Sequence, residues 1–314
     1  MKNIFVVNPM AGTGKGIEKL VKGISRVSDE MGICSETYIT KAIGDGENFA
    51  RKMAIETQGI EELHIFACGG DGTNNEVING VYGFDHVACG CLPIGTGNDF
   101  VRNFPEAGNF MDIKAQLLGK PIKSDLIKYS GIIDGVQQTR YCANMFNIGF
   151  DCNVVDLTAK LKTYPFLAGS FAYMMAILGT FIKKKGADLR IEANGQLIED
   201  GEVLLCAVSN GSYCGGGLKS SPQASITDGI FDLNIIYDVP RFTFLKLFPS
   251  YTKGTHMEKK GIEKLFVALR CKNAKISPRG GEFRLCADGE ISSVGDIYME
   301  IAEEAINFLV PANL

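Results

Sequence analysis

The segment Leu63-His64-Ile65-Phe66-Ala67-Cys68-Gly69-Gly70-Asp71-Gly72-Thr73-Asn74-Asn75-Glu76 decides the fold. Its first five residues form an apolar run typical of a buried strand, and the residues after Glu76 begin a helix. Glycines around Asp71 at this junction leave backbone N–H groups uncovered, so phosphate oxygens can approach them closely. Asp71 then lies where a cation bound to phosphate could be held. The segment predicts chemistry at the phosphates of a nucleotide.

Strands and helices alternate on either side of this segment, through the first third of the chain. The pattern predicts strands at Ile4–Val7, Cys34–Ile39, Leu63–Ala67 and Val87–Leu92, and helices at Ile17–Met31, at Glu47–Thr57 and from Asn75. Strands joined by helices of this length indicate βαβ crossovers and a parallel sheet. Ligand loops of such sheets lie at the carboxyl ends of the strands, and all three Gly-rich segments of this region fall there.

Hairpin signals replace this alternation after about Ser124. Asp134-Gly135 and Asn194-Gly195 each separate two strand-like runs, and Asp134-Gly135 is predicted to be a plain turn. The second region is therefore predicted to be mainly antiparallel, as a β-sandwich. We expect an α/β domain over residues 1–124 and a β domain over residues 125–299, with the active site in the cleft between them.

The composition is that of a soluble globular protein, with 46% hydrophobic and 22% charged residues. A net charge of −4 gives no reason to expect a nucleic-acid partner. The ten cysteines lie in apolar surroundings, which favours reduced core residues of a cytoplasmic protein over a zinc site. The first residues lead directly into a strand, so no signal peptide is expected.

Two apolar segments raise the question of a membrane. Tyr164–Ile182 has 19 residues without a charge, but its proline, glycines and hydroxyl residues favour a helix on the protein over a transmembrane span. Arg241–Phe248 is apolar with two basic residues. For each segment the residues leave two interpretations open, which are core packing and contact with a membrane surface.

Further small-residue loops carry carboxylates. Asn8–Gly16 lacks the spacing of a Walker motif, because Pro9 and Gly16 stand where glycine and a hydroxyl residue are needed. Leu92–Phe100 combines glycines with Asp99. Near the end of the chain, Asp288-Gly289-Glu290 places two carboxylates on either side of a turn glycine, so that both can face one cleft.

Together these motifs resemble the diacylglycerol kinase catalytic-domain family, in its bacterial and sphingosine-kinase-like branch. The matching elements, in order along nearly the whole chain, are Asn8-Pro9 with the following glycines, Gly69–Glu76, Gly95–Phe100, Ser225–Gly229 and Asp288–Glu290. The resemblance implies an NAD-kinase-like, Rossmann-like α/β domain followed by a β-sandwich domain, with the C-terminal segment 300–314 returning to the first domain. It also implies ATP, Mg²⁺ and a role in lipid metabolism and phospholipid biosynthesis.

The resemblance also implies roles for individual residues. Nucleotide-binding positions are Asn8, Pro9, Met10, Ala11, Gly12, Thr40, Gly70, Asp71, Gly72, Thr73, Asn74, Asn75, Glu76 and Thr96. Asp288 matches the general base, and Asp71, Asp99, Asp125 and Glu290 match acidic residues that hold the catalytic Mg²⁺. Ser225, Asp228 and the carbonyl of Ile230 match a separate structural Mg²⁺ site. Asn74 replaces an apolar residue of the family, and we expect it to point to solvent.

This set of residues suits phosphoryl transfer, which depends on positioning and on neutralising charge. The resemblance implies a lipid acceptor taken from a membrane surface by peripheral contact, such as diacylglycerol or a sphingoid base, and family members are often homodimers. Two other classes of function stay open. One is a kinase of a soluble acceptor such as NAD, and the other is a nucleotide-binding regulatory protein without turnover.

Overall fold

A computed structural model describes residues 1–12, 16–161, 175–177, 179–180 and 185–314, apart from the side chains of residues 151 and 159. Two parts of the sequence analysis lie outside the described residues. They are Gly14 and Lys15 of the first Gly-rich loop and most of the predicted helix Tyr164–Ile182. The chain divides into two compact units. The first unit comprises Met1–Asp125 and Glu304–Leu314, and the second comprises Leu126–Glu303.

The first unit alternates strands with helices. Its elements are β1 (Lys2–Val7), α1 (Ile17–Met31), β2 (Ser35–Ile39), α2 (Asp45–Thr57), β3 (Leu63–Gly69), α3 (Asp71–Val81), β4 (Val87–Pro93) and α4 (Ile113–Leu117), with 3₁₀ turns at Phe100–Asn103 and Ala107–Met111. Helix α3 begins at Asp71 rather than at the predicted Asn75. The reason is that Gly70 takes an extended N-cap conformation, and the Asp71 carboxylate in the first turn favours the positive end of the helix dipole.

The sheet of the first unit is parallel throughout its described pairings. Strand β1 lies between β2 and β3, and β3 pairs with β4. The last strand of the chain, β15 (Glu290–Val310), adds its final residues to β4, where Phe308 pairs with Cys89. Phe5, Phe66 and Leu309 are fully buried in the core beneath α1. The carboxyl ends of β1, β3 and β4 therefore all point to one edge, which is the edge with the Gly-rich loops.

The second unit is built mainly of antiparallel strands. Strand β5 (Lys120–Ile133) leads into it, and its further elements are β6 (Val136–Cys142), β7 (Met145–Gly149), α5 (Phe150–Leu161), β8 (Ala187–Ala193), β9 (Gln196–Val203), β10 (Leu205–Ser209), β11 (Phe231–Ile236), α6 (Arg241–Thr252), β12 (Phe266–Cys271), β13 (Asn273–Pro278) and β14 (Phe283–Ala287). The predicted single strand Val203–Val208 is divided between β9 and β10.

Two layers form the sandwich of this unit. One layer has the order β6-β5-β15-β13-β8-β9, and the other has the order β12-β11-β10-β7-β14-β15, so that β15 contributes to both. Their inner faces enclose one core that includes Tyr129, Phe146 and Phe231. The two predicted hairpin turns are present, with Asp134-Gly135 between β5 and β6 and Asn194-Gly195 between β8 and β9. The fold is thus the predicted one, an α/β domain and a β-sandwich domain.

The apolar segments belong to helices of the second unit as far as they are described. Residues 175–177 and 179–180 are helical, and Ala176 and Ile177 pack against Phe150 in a small separate core. Arg241–Phe248 lies within α6. Among the described residues, no helix combines the length and the apolar character that crossing a membrane requires.

Candidate active site

Three loops of the first unit come into backbone contact at the carboxyl ends of β1, β3 and β4. The N–H of Gly95 donates to the carbonyl of Gly69 over 3.0 Å. A Cβ at Gly12 would lie 2.7 Å from the carbonyl oxygen of Ile94, and a Cβ at Gly95 would overlap Gly70. Because only glycine fits these positions, the loops form a cradle lined by backbone, which is the arrangement that accepts phosphate oxygens.

Two carboxylates border this cradle. Asp71 Oδ1 accepts the N–H of Asp99 over 2.8 Å and the N–H of Phe100 over 3.3 Å. A Cβ at Gly97 would lie 2.7 Å from Asp71 Oδ2 and 3.4 Å from Asp99 Oδ2, so one oxygen of each carboxylate faces the same point. A pair of converging carboxylate oxygens fits a hard cation such as Mg²⁺. The structure thus brings together two of the four residues predicted for the catalytic metal.

The first loop is held to the start of α3. Asn8 Nδ2 donates to Thr73 Oγ1 over 3.1 Å, and Asn8 Oδ1 accepts the N–H of Met10 over 2.9 Å. Pro9, Ala11 and Gly12 follow on the same loop, and the Met10 side chain is exposed. Thr40 is buried at the end of β2, where its N–H donates to the carbonyl of Val7.

The three residues after Thr73 make their described contacts within the protein. Glu76 accepts the N–H groups of Gly44 and Gly46 at the start of α2, over 2.8 and 3.0 Å. Asn75 accepts from Asn79 one turn further along α3. Asn74 is only 5% exposed, so the expectation that it points to solvent was wrong. Helix α3 packs against α2, β3 and β4, and burial that comes from such packing between separate elements is not visible in the local sequence.

The remaining predicted residues of the first unit differ in exposure. Asp125 is 2% exposed and its Oδ1 accepts the N–H of Glu304, which ties β5 to the returning end of β15. Thr96 is exposed on the third loop. The structure gives Asp125 a structural contact, and its predicted part in holding Mg²⁺ stays a prediction.

Sequence reasoning missed one cation beside the cradle. Arg102 donates from Nη2 to the carbonyl of Gly97 over 3.2 Å, and its Nε lies 3.6 Å from Asp99 Oδ1. A guanidinium in this position can donate to a phosphate oxygen as well as to the loop. The signal that was overlooked is its spacing, since the 3₁₀ turn after Asp99 brings a residue three positions later back onto the loop.

Asp288, the candidate base, lies in the second unit and accepts hydrogen bonds from several neighbouring donors. Asp288 Oδ2 accepts the N–H of Ala143 over 2.8 Å, and its Oδ1 accepts the N–H groups of Asn144 and Met145 over 3.0 Å each. The Cys142 thiol donates to the same Oδ1 over 3.2 Å. These donors lie at the end of β6, in the two-residue connection after it and at the start of β7. They fix the orientation of the carboxylate.

The sequence predicts Cys142 as an ordinary core cysteine. In the structure its thiol is also a hydrogen-bond donor to Asp288. Burial raises the pKa of its thiol well above the usual value, and the nearby Asp288 charge adds to that effect. The thiol therefore stays protonated and remains a donor to Asp288. Glu290 opens β15 on the exposed side of the same turn, opposite Ala287.

The predicted structural metal site already contains a cation from the protein. Arg270 forms an ion pair with Asp228 through Nη2 and with Asp232 through Nε. Ser225 lies within 3.4 Å of Thr227 through their hydroxyl oxygens, and the N–H of Ile230 turns back to Asp228. The predicted binding of Mg²⁺ by Ser225, Asp228 and Ile230 stays a prediction. Among the described residues there is also no cluster of three His, Cys, Asp or Glu side chains that could hold a metal.

Comparisons with known proteins agree with the motifs. Residues 2–129 match the model of the diacylglycerol kinase catalytic domain, and residues 144–310 match the YegS C-terminal NAD kinase beta sandwich-like domain. A diacylglycerol kinase of Bacillus subtilis is 28% identical over 297 residues, which cover 91% of this chain and 88% of that protein. A diacylglycerol kinase of Mycobacterium tuberculosis is 23% identical over 308 residues, which cover 92% of this chain and 91% of that protein.

A solved structure supports the fold alone. A crystal structure of a diacylglycerol kinase from Bacillus anthracis superposes with a TM-score of 0.67 at 20% sequence identity, and the match covers 100% of this chain and 98% of that one.

Proposed function

The chain belongs to the diacylglycerol kinase catalytic-domain family, and from that premise we propose that it transfers the γ-phosphoryl group of ATP to the hydroxyl of a membrane lipid. The acceptor class we assign is a diacylglycerol-like or sphingoid lipid. The observation that carries the proposal is the Asp288 carboxylate, which four donors hold in one orientation at the end of a hairpin. A plain turn does not need that environment, whereas a general base must be held within hydrogen-bond reach of the proton that it takes.

The first unit provides the nucleotide half of the reaction. Its backbone cradle receives the phosphates, and Arg102 adds a positive charge at the third loop. Asp71 and Asp99 would hold Mg²⁺, which when bound neutralises phosphate charge. The family resemblance implies a part in holding Mg²⁺ for Asp125 and Glu290 also, partly through water, and for both residues this stays a prediction.

The second unit provides the acceptor half. Donors from residues 142–145 reach both oxygens of the Asp288 carboxylate. We assign this carboxylate to take the proton of the acceptor hydroxyl as that hydroxyl attacks the γ-phosphorus. The N–H groups of residues 143–145 keep the carboxylate in place during the transfer.

The two faces of helix α6 differ in exposure, and this difference supports the proposal that the acceptor lies at a membrane surface. Phe244 and Phe248 face inward, with ring centroids 5.3 Å apart and Phe244 stacked edge-on to Phe150. Phe242 is 88% exposed and Leu245 is 52% exposed. An outer face with exposed apolar side chains beside Arg241 and Lys246 suits insertion into an anionic membrane interface.

The exposed face of α6 can be changed without changing its inner face. An experiment can therefore distinguish core packing of Arg241–Phe248 from contact with a membrane surface. Replacing Phe242 and Leu245 with serine should weaken binding to liposomes with anionic lipids, while ATP binding is unchanged. Phe244 and Phe248 are unsuitable for this test because serine there would disturb the interior. Liposome binding that is unaffected in the folded double variant would contradict peripheral membrane contact.

The decisive test is phosphate transfer from labelled ATP with Mg²⁺ to extracted membrane lipids in mixed micelles, with products separated by mass. We expect a phosphorylated lipid that is absent without Mg²⁺. A parallel reaction with NAD tests a soluble acceptor, and phosphorylated NAD as the main product would replace the proposal. ATP binding without any product would support the regulatory alternative.

A further inference from the structure

The connection between β6 and β7 lies between the ends of two neighbouring strands. Strand β7 pairs antiparallel with β10 on one side and with β14 on the other. In the β10 ladder Ser209 pairs with Met145, so the residue after Ser209 continues the ladder beside the connection. That residue is Asn210, and it stands opposite Asn144. On the β14 side the N–H of Asp288 donates to the carbonyl of Met145 over 3.1 Å, so Asn210 and Asp288 lie on either side of one short segment.

Two consecutive peptide groups of this segment are hydrogen-bonded at both ends. The first joins Ala143 to Asn144. Its N–H donates to Asp288 Oδ1 over 3.0 Å, and its carbonyl accepts from Asn210 Nδ2 over 2.8 Å. The second joins Asn144 to Met145. Its N–H donates to the same Oδ1 over 3.0 Å, and its carbonyl accepts the main-chain N–H of Asn210 over 2.8 Å.

The bonds to the carbonyls determine where the N–H groups point. A peptide group is planar, so a bond that fixes its carbonyl also fixes the direction of its N–H. Asn210 therefore orients two of the N–H groups that reach the Asp288 carboxylate. Asn210 is fully buried and Ala143 is 1% exposed. Loss of the Asn210 amide would leave a buried carbonyl without this donor, which favours a shift of the segment.

The side chain of Asn144 attaches the segment a second time. Its Nδ2 donates to the carbonyl of Tyr213 over 2.7 Å, on the stretch of chain that follows Asn210. The carbonyl of Asn144 also accepts the N–H of Gly211 over 2.9 Å. Residues 210–213 and residues 143–145 are thus joined by hydrogen bonds in both directions, all within the second unit.

From these contacts we infer that Asn210 is a positioning residue for the general base. It holds residues 143–145 in the orientation in which their N–H groups keep the Asp288 carboxylate in place for the acceptor hydroxyl. The inference rests on the proposed function, which supplies the role of Asp288 as the base. Because Asn210 acts through Asp288, its loss should slow the transfer step without weakening nucleotide binding. A purely structural asparagine would lower the stability and leave the rate of the folded enzyme unchanged.

Two substitutions remove the side-chain donor in different ways. Asn210→Ala removes the amide and keeps the main-chain N–H, whereas Asn210→Asp keeps the shape and turns an acceptor oxygen toward the Ala143 carbonyl. Asn234→Ala is the matched control. Asn234 lies on β11 and is 5% exposed, and its Nδ2 donates to Ser221 Oγ over 2.7 Å. The control thus loses a buried amide bond that does not involve residues 143–145.

We expect Asn210→Ala to lower kcat for lipid phosphorylation about 10- to 100-fold, because a displacement of about 1 Å near the reacting atoms can cost that much. The KM for ATP and the affinity for ATP should stay unchanged. Asn210→Asp should lower kcat at least as much. Asn234→Ala should lower the unfolding temperature and leave kcat unchanged. If neither Asn210 variant folds, Asn144→Ala tests the same attachment, with a smaller loss of kcat.

A double-mutant cycle with Asp288→Asn separates positioning of the base from a general effect on the fold. If Asn210 acts through Asp288, Asn210→Ala should change the residual rate of Asp288→Asn by less than about twofold, since the effects of residues that act as a unit are not additive. A general effect would lower both rates by the same factor. Hydrogen exchange of residues 143–145, measured by mass spectrometry without substrate, should be faster in Asn210→Ala and unchanged in Asn234→Ala.

Three outcomes would overturn the inference. They are an unchanged kcat in folded Asn210→Ala, additive effects in the cycle with Asp288→Asn, and exchange of residues 143–145 as slow in Asn210→Ala as in the wild type. The lipid-kinase assay of the wild type separates this inference from the proposed function. A wild type that forms no phosphorylated lipid would refute the proposed function and, with it, the role of Asn210. Phosphorylation by the wild type together with additive effects would refute the role of Asn210 alone.

Discussion

Two Asp-Gly hairpins of the second unit have almost the same backbone and different surroundings. Asp134 and Gly135 have φ angles of 49° and 79°, and Asp288 and Gly289 have φ angles of 48° and 94°. Both pairs are two-residue turns between antiparallel strands, which favour Asp and Gly because both central residues have positive φ. The local sequence therefore explains the two turns equally well.

The difference lies in what reaches each carboxylate. Asp134 is exposed, and its Oδ1 accepts the N–H of Ser293 over 2.8 Å. Asp288 accepts three backbone N–H groups and a thiol, all from residues 142–145. A dipeptide thus specifies a turn, and residues more than 140 positions away in the chain determine whether its carboxylate has a chemical task.

The largest expected effect is that of Asp→Asn at the two turns. Asp288→Asn should reduce kcat at least about 100-fold, because the amide cannot take the acceptor proton, with little change in ATP affinity. Asp134→Asn should leave kcat unchanged, since the amide oxygen can still accept from Ser293. Asn194-Gly195 shows that asparagine adopts this turn.

The measurement for this pair is steady-state kinetics together with nucleotide titration, with thermal unfolding as a check on folding. If folded Asp288→Asn kept more than about a tenth of the wild-type rate, Asp288 would not be the base.

Asp71 extends the comparison to an Asp-Gly pair at the start of a helix. Asp71→Asn keeps an oxygen that can accept from Asp99 and Phe100, but it removes the negative charge from the predicted metal site. We expect kcat to fall about 10- to 100-fold and the Mg²⁺ concentration for half-maximal activity to rise. A magnesium titration of the rate checks this, with Asp134→Asn as the control. An unchanged midpoint would exclude Asp71 as a metal ligand.

The fold was more predictable than the site for a physical reason. Helix Ile17–Met31 and both predicted hairpin turns follow from periodicity and turn chemistry, which act between near neighbours. The donors around Asp288 and the burial of Asn74 depend on contacts between distant segments, and no local pattern encodes them. Motif resemblance predicts that Asp288 is the base, but it does not predict which residues hold the carboxylate.

Substitutions at the two turn glycines, Gly135 and Gly289, distinguish an effect on turn conformation from an effect on catalysis. Gly135 and Gly289 both have positive φ, and a Cβ at either would meet no atom within 4 Å. Alanine at each should therefore cost about 1 kcal/mol of folding stability through backbone strain alone. Denaturant unfolding should show equal losses, whereas kcat should fall severalfold only for Gly289→Ala. Equal kcat for the two variants would mean that the orientation of the Asp288 turn does not limit the reaction.

The smallest expected effect concerns a third Asp-Gly pair, Asp228-Gly229, where the resemblance implies a structural Mg²⁺ and the structure has Arg270. Burial raises the pKa of Asp232 to about 6, and the Arg270 charge opposes that rise, so the guanidinium serves two carboxylates at once. Arg270 is half exposed, and its loss should cost about 1 kcal/mol or less.

Arg270→Ala should at the same time leave Asp228 open to a divalent ion. We therefore expect millimolar Mg²⁺ to raise the unfolding temperature of Arg270→Ala more than that of the wild type, and Ca²⁺ to act similarly because both ions prefer oxygen ligands. Arg270→Lys is the matched control, since it keeps the positive charge and should stay insensitive. If wild type and Arg270→Ala gain equally from Mg²⁺, the guanidinium and the ion do not compete for Asp228.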